Sequence, residues 1–137
     1  MSIKKIILAT ISYVILTMAV AYPWHMVLFH DMYIEMGAYT RAIPSIPLGM
    51  SAMILQGLVI AYLYPFYYKS GNPIIQGIKF SLIMGLAVYS AMGFAMAAKI
   101  DINPISKFLL FSLMFQIIQF VLTGIALGLI YGKKDAQ

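Results

Sequence analysis

Four long blocks of apolar residues, separated by short polar stretches, divide this chain. The first opens after Lys4 and Lys5 and runs without a charge from Ile6 to Tyr22; apolar sequence resumes beyond Pro23 as far as Phe29. A proline lacks the backbone donor a helix needs, so a bend or an end is expected there. The second block is announced by Pro44 and Pro47 and ends among Pro65, Phe66, Tyr67, Tyr68 and Lys69. Tyrosines collect at such ends because an amphipathic ring suits the head-group boundary. The third and fourth share a start signal, Asn72-Pro73 and Asn103-Pro104, in which asparagine caps a helix and proline occupies its first turn. Each block is long enough for the roughly 20 residues that cross a hydrocarbon core of about 30 Å. The pattern predicts an all-α, polytopic membrane protein, a bundle of four transmembrane helices over residues 6–29, 44–68, 74–98 and 105–131, in a single domain.

Composition sharpens this picture. At 63% hydrophobic and 9% charged, a soluble domain of 137 residues could not cover its apolar side chains. The net charge of +5 resides at span ends, where basic residues orient helices and meet anionic lipid, so no nucleic-acid partner is expected. With no cysteine there is no disulfide, thiolate metal site or cysteine nucleophile.

Basic residues also predict orientation. In a four-span topology Lys4, Lys5, Lys69, Lys79, Lys133 and Lys134 share one side, against Arg41, Lys99 and Lys107 on the other. The positive-inside rule then places both termini in the cytoplasm, and the expected location is a cell inner membrane. A competing reading takes the two lysines, the apolar run and Ala19-Val20-Ala21 as a cleavable secretory signal. Cleavage after Ala21 would leave three spans.

Lipid tails are as apolar as leucine, so helices in a bilayer associate through close backbone approach and interhelical hydrogen bonds. Gly124, Gly128 and Gly132 stand four apart in the last span; Ala87, Ala91 and Ala95, beside a second row holding Ser81, Gly85, Gly93 and Ala97, do the same in the third. These rows predict contact faces, within one bundle or between copies. Gln56, Gln116 and Gln119 lie inside spans, and an amide facing lipid would leave donors and acceptors unpaired. They are expected to face inward, either as interhelical hydrogen bonds or as the lining of a polar path or ligand pocket. A 31-residue offset superposes Asn72, Pro73, Ile74, Phe80, Ser81, Leu82, Gly93 and Ala95 on the matching residues of the last span. A true duplication would be inverted in the membrane.

Most reactive groups sit between Trp24 and Arg41: His25, His30, Asp31, Tyr33 and Glu35, with the thioethers of Met26, Met32 and Met36. Were one helix to continue through this stretch, Asp31 and Glu35 would share a face while the two imidazoles pointed about 140° apart. They could not then share one metal. Thioether and imidazole suit Cu(I), and Met92 and Met96 stand one turn apart at the same end of the third span. Methionine is equally an adaptable apolar filler.

Two resemblances follow from these residues. Met92 and Met96, followed in the next span by Gly124 and Gly128, resemble the pattern of the trimeric copper-uptake family, which would imply three spans and a metal passage. Over nearly the whole chain, a first span ending in Trp-x3-Leu-Phe (Trp24, Leu28, Phe29) and three further spans rich in small residues resemble short bacterial four-helix membrane proteins of unknown function. That likeness implies topology and no activity.

No serine–histidine–aspartate order, no His-Glu-x-x-His run and no phosphate-cradling glycine loop is present. The expected role is a non-catalytic membrane component that needs no cofactor and binds a partner, a lipid or a small apolar ligand inside the bundle. The alternative is an oligomeric carrier or channel for a small solute or metal ion. The expected partners are the bilayer itself and either further copies of the chain or another membrane protein.

Overall fold

The computed structural model describes residues 2–132. Lys133 and Lys134, used above to orient the chain, lie outside the described residues. Within them the chain is helical throughout, with no strand: α1 (Ile3–Tyr22), α2 (His30–Glu35), α3 (Ile46–Tyr67), α4 (Pro73–Tyr89) and α5 (Ile105–Tyr131). Two of these continue in wider π-helical turns, α1 through Pro23–Leu28 and α4 through Ser90–Ala95. Counting those turns, four helices are long and apolar enough to cross a bilayer: Ile3–Leu28, Ile46–Tyr67, Pro73–Ala95 and Ile105–Tyr131.

Pro23 bends the helix register instead of ending the helix. It has no N–H for the usual bond four residues back, and the chain absorbs the loss by widening the turn. The widened turn closes where the Phe29 N–H donates to Trp24 O, five residues back, at 3.1 Å. The single helix considered above for residues 24–36 is therefore broken at Phe29. The twin start signals also part company. Asn72 caps α4, its side chain accepting from the N–H groups of Ile74 and Ile75 at 3.0 and 3.1 Å. In α5 the cap position is Pro104 itself, which puts Asn103 one residue too early to cap.

The tightest packing joins α4 to α5, and α1 lies against both α3 and α5. Small residues explain the first contact. A β-carbon placed on Gly124 would overlap the backbone of Gly77 and Ile78, and one on Gly128 would overlap that of Pro73 and Ile74. Gly85 sits against the Phe120 ring and Gly93 against Tyr89. The buried row on α4 is thus Gly77, Ser81 and Gly85; Gly93, also buried, lies against Tyr89 of its own helix, and Ala87 and Ala91 are exposed. These glycine contacts are made within one chain.

Buried side chains, the larger of them mostly aromatic, fill the bundle in two clusters. Tyr13, Ile60, Tyr64, Phe80 and Phe120 form one, and Trp24, Tyr33, Met36, Phe108 and Phe115 the other. The outer surface of the helices is apolar as well, with Ile7, Leu8, Ile11 and Ile15 of α1 each at least half exposed.

Gly124→Val should therefore force α4 and α5 apart at a cost of about 1–3 kcal/mol, the usual penalty of overpacking. Gly49→Val, at a position with nothing within 4 Å of an added β-carbon, should leave stability unchanged. Unfolding in mixed detergent micelles, followed by circular dichroism, compares the two.

Candidate functional site: an aromatic cavity beside Gln116

The three glutamines expected inside the spans meet different fates. Gln119, 3% exposed, has its amide nitrogen engaged: Nε2 donates to Tyr13 Oη at 3.0 Å and to Thr17 Oγ1 at 2.9 Å. The Tyr13 hydroxyl in turn donates to Gln56 Oε1 at 2.7 Å. This chain of bonds ties α5 to α1 and α1 to α3. Gln116, three residues before Gln119 and 8% exposed, has a buried Oε1 with no hydrogen-bond partner. A buried acceptor left unmet costs about 1–3 kcal/mol.

Gln116 forms part of the wall of a cavity of about 270 Å3. His25 and Tyr39 contribute from one side, Met92 and Met96 from α4 and its extension, and Ser112 and Phe115 from α5. Both π-helical turns contribute, since His25 lies in the first and Met92 in the second. Such turns shift side chains away from the positions an α-helix would assign, which is why they recur at sites that do something.

The outer segment closes the cavity. After α2, Gly37 takes a φ of +78°, and its N–H donates to Ile34 O at 2.9 Å while that of Ala38 donates to Tyr33 O at 3.0 Å. This pair of bonds is a glycine-based helix stop that turns the chain back on itself. The Asn103 N–H, donating to Met36 O at 3.0 Å, pins the turn to the start of α5. Tyr39 is thereby laid over the site, stacked on Tyr33 with ring centroids 5.3 Å apart, its hydroxyl 2.9 Å from His25 Nδ1. The His25 ring packs on Phe115 at 4.6 Å and on Tyr33 at 5.1 Å. Trp24 supports the wall from behind: its Nε1 donates to Tyr33 Oη at 3.2 Å, and its ring lies 6.2 Å from Phe115.

Burial raises the ionisation of both phenols outside the spans. Tyr33 is moved up by burial, with hydrogen bonds from Trp24 and Ser112 opposing. Tyr39 is moved further up by burial and by the adjacent Tyr33. Both remain neutral at physiological pH, so no lining residue contributes a negative charge.

The remaining expected residues fall elsewhere. His30 lines a separate, larger hollow at the surface, of about 790 Å3, together with Met26, Arg41 and Pro44; Ala38 and Tyr39 form a wall common to both spaces. The nearest carboxylate to the His30 ring is its chain neighbour Asp31, at 3.4 Å and 95% exposed. Glu35 is exposed. Among the described residues no group of three His, Asp or Glu side chains is placed to hold a metal ion. Tyr39 and Ser112 were not singled out in the sequence; only the fold-back at Gly37 and the altered helix register reveal them. No family model, curated protein or solved structure matches the chain.

Removing a bonded partner of Gln119 and removing the unmet acceptor of Gln116 should have opposite effects. Tyr13→Phe removes an acceptor from Gln119 and a donor from Gln56, and should destabilise by about 1–2 kcal/mol. Gln116→Leu deletes an unmet acceptor and should leave stability equal or higher. Thermal unfolding of the detergent-solubilised variants checks both signs.

Proposed function

We propose that this chain is a multipass integral membrane protein that holds a small, uncharged, largely apolar ligand in the cavity beside Gln116. The observation that carries the reading is the buried, unpartnered Oε1 of Gln116, a residue that lines a space large enough for a ring-sized molecule. The last side-chain torsion of glutamine is broad, so a small rotation presents that oxygen to a donor on a ligand. Aromatic and thioether side chains supply the apolar contact. Charge argues for a neutral guest: an ammonium would meet no carboxylate on the wall and a carboxylate no lysine or arginine, at a desolvation cost of several kcal/mol.

Membrane residence is supported by four helices of spanning length and by the apolar residues they turn outward. Retention of the first span is supported by the bonds that Tyr13 and Thr17 make to Gln119. Orientation with both termini in the cytoplasm of an inner membrane rests on the distribution of lysines.

Trp24, the single tryptophan, provides a reporter beside the cavity. Para-bromophenol, a neutral ring bearing one hydroxyl donor and a heavy atom that quenches indole emission, should quench Trp24 saturably in detergent solution. Gln116→Leu should weaken its binding about five- to tenfold, the effect of one lost hydrogen bond. Quenching that rises linearly with concentration and ignores the substitution would refute the reading.

A second reading, passage or storage of a soft metal ion, draws on one observation: His25, Met92 and Met96 line the same cavity. It requires Cu(I) to be held against a competing chelator and released when Met92→Leu and Met96→Leu are combined. Equal Cu(I) retention by the native and doubly substituted chains would remove it.

A further inference from the structure

Gln116 borders two spaces, and the second opens sideways. That second cavity, about 220 Å3, runs along the seam between α4 and α5, bounded by Leu82, Leu86 and Tyr89 on one helix and by Leu113, Gln116 and Ile117 on the other. Leu86 is 66% exposed and Ile117 47%, so the groove lies on the face a spanning helix turns to hydrocarbon. Tyr89 stands at its inner edge, its ring against Gly93 and its hydroxyl donating across the seam to Leu109 O at 3.0 Å. Neither space alone reaches the roughly 300–1,000 Å3 of ordinary small-molecule sites, but the two taken together do.

We infer that the ligand is a single-chain amphiphile with a neutral, hydroxyl-bearing head, and that it comes from the bilayer. This rests on the preceding reading of the inner cavity. The head occupies that cavity and donates to Gln116 Oε1; the hydrocarbon chain passes Gln116 and lies in the seam between α4 and α5. Three observations converge on this chemistry. The oxygen calls for a donor, the inner wall carries no acid or permanently charged base to balance an ionic head, and the groove is walled by aliphatic side chains at the lipid-facing surface. A phospholipid fits poorly, because its phosphate would be buried without a cation and its second chain has no groove.

The test uses the full chain in phosphatidylcholine nanodiscs with a monoacylglycerol carrying a photoactivatable diazirine in mid-chain. Crosslinks mapped by peptide mass spectrometry should concentrate on residues 82–86 and 113–117. They should fall about fivefold when Leu86→Tyr narrows the groove. Ile117→Tyr is an independent second block, and neither variant introduces a tryptophan that would mask Trp24. Para-bromophenol quenching should survive both changes, since the inner cavity is untouched. Labelling of Ile7, Ile11 and Ile15 at the same density as the seam, or labelling indifferent to both tyrosines, overturns the lipidic ligand. If para-bromophenol still binds in that case, the inner cavity keeps its role; if neither probe binds, both readings fall.

Discussion

Hydrocarbon offers no hydrogen-bond partner, so every polar group that a spanning helix carries must find one inside the protein or remain unmet. In the membrane setting proposed above, that constraint would organise this bundle more than apolar burial does, because lipid and leucine are equivalent surroundings for an apolar side chain. Backbone groups are met within each helix. Among the side-chain groups, one chain of contacts links residues of three helices: Gln56 to Tyr13, and Gln119 to both Tyr13 and Thr17. These bonds hold three helices in register. Tyr131 extends the same logic at the far end of α5, its hydroxyl donating to Ala61 O of α3 at 2.7 Å.

The fourth helix is held by a different device. No comparable polar chain joins α4 to α5; the two approach closely because Gly77, Gly124 and Gly128 let backbone meet backbone. Contact this tight persists only while both helices are regular. Where α4 widens at Ser90, the row of close contacts ends, and the cavity containing Met92 and Met96 begins. Pro23 does the same to α1 opposite. The site thus exists where two helices lose their regular spacing at the same level, with the Gly37 turn and Tyr39 folded over the gap.

Helix positions and the α4–α5 interface were legible in the chain because both depend on local, periodic signals. Uncharged length marked the spans, and glycines four apart marked one face of α5. Gly77 escaped the reading although it extends the Ser81 and Gly85 row by one turn. Other features had no local signature. Asn72 and Asn103 precede proline alike, yet only the first caps its helix. Gln116 and Gln119 are of the same type, three residues apart, and separable only by what surrounds them: Gln119 meets Tyr13 and Thr17, whereas the Gln116 oxygen meets no partner. A π-helical turn is foreseeable at Pro23, where a donor is missing, but Ser90–Ala95 contains no proline, and the sequence offers no comparable reason for it there.

The contrast between those glutamines also bears on what the cavity selects. An acceptor already bonded by protein, like Gln56 Oε1, can bind a guest only by giving up that bond, so its net contribution to affinity is small. An acceptor that is buried and unmet carries its desolvation cost in the empty protein, and a guest with a donor removes that cost on arrival. The free energy of leaving Gln116 unsatisfied is therefore returned upon binding, and it is returned only to molecules that bring a hydroxyl or amide hydrogen. A pure hydrocarbon of the same shape gains the contact area alone. On the proposed reading, selectivity for a donor-bearing apolar molecule over lipid chains in vast excess would follow from one oxygen atom, provided that the wall around it stays uncharged. Tyr33 and Tyr39 add no negative charge to it: burial raises both phenols, and they remain protonated across the physiological range.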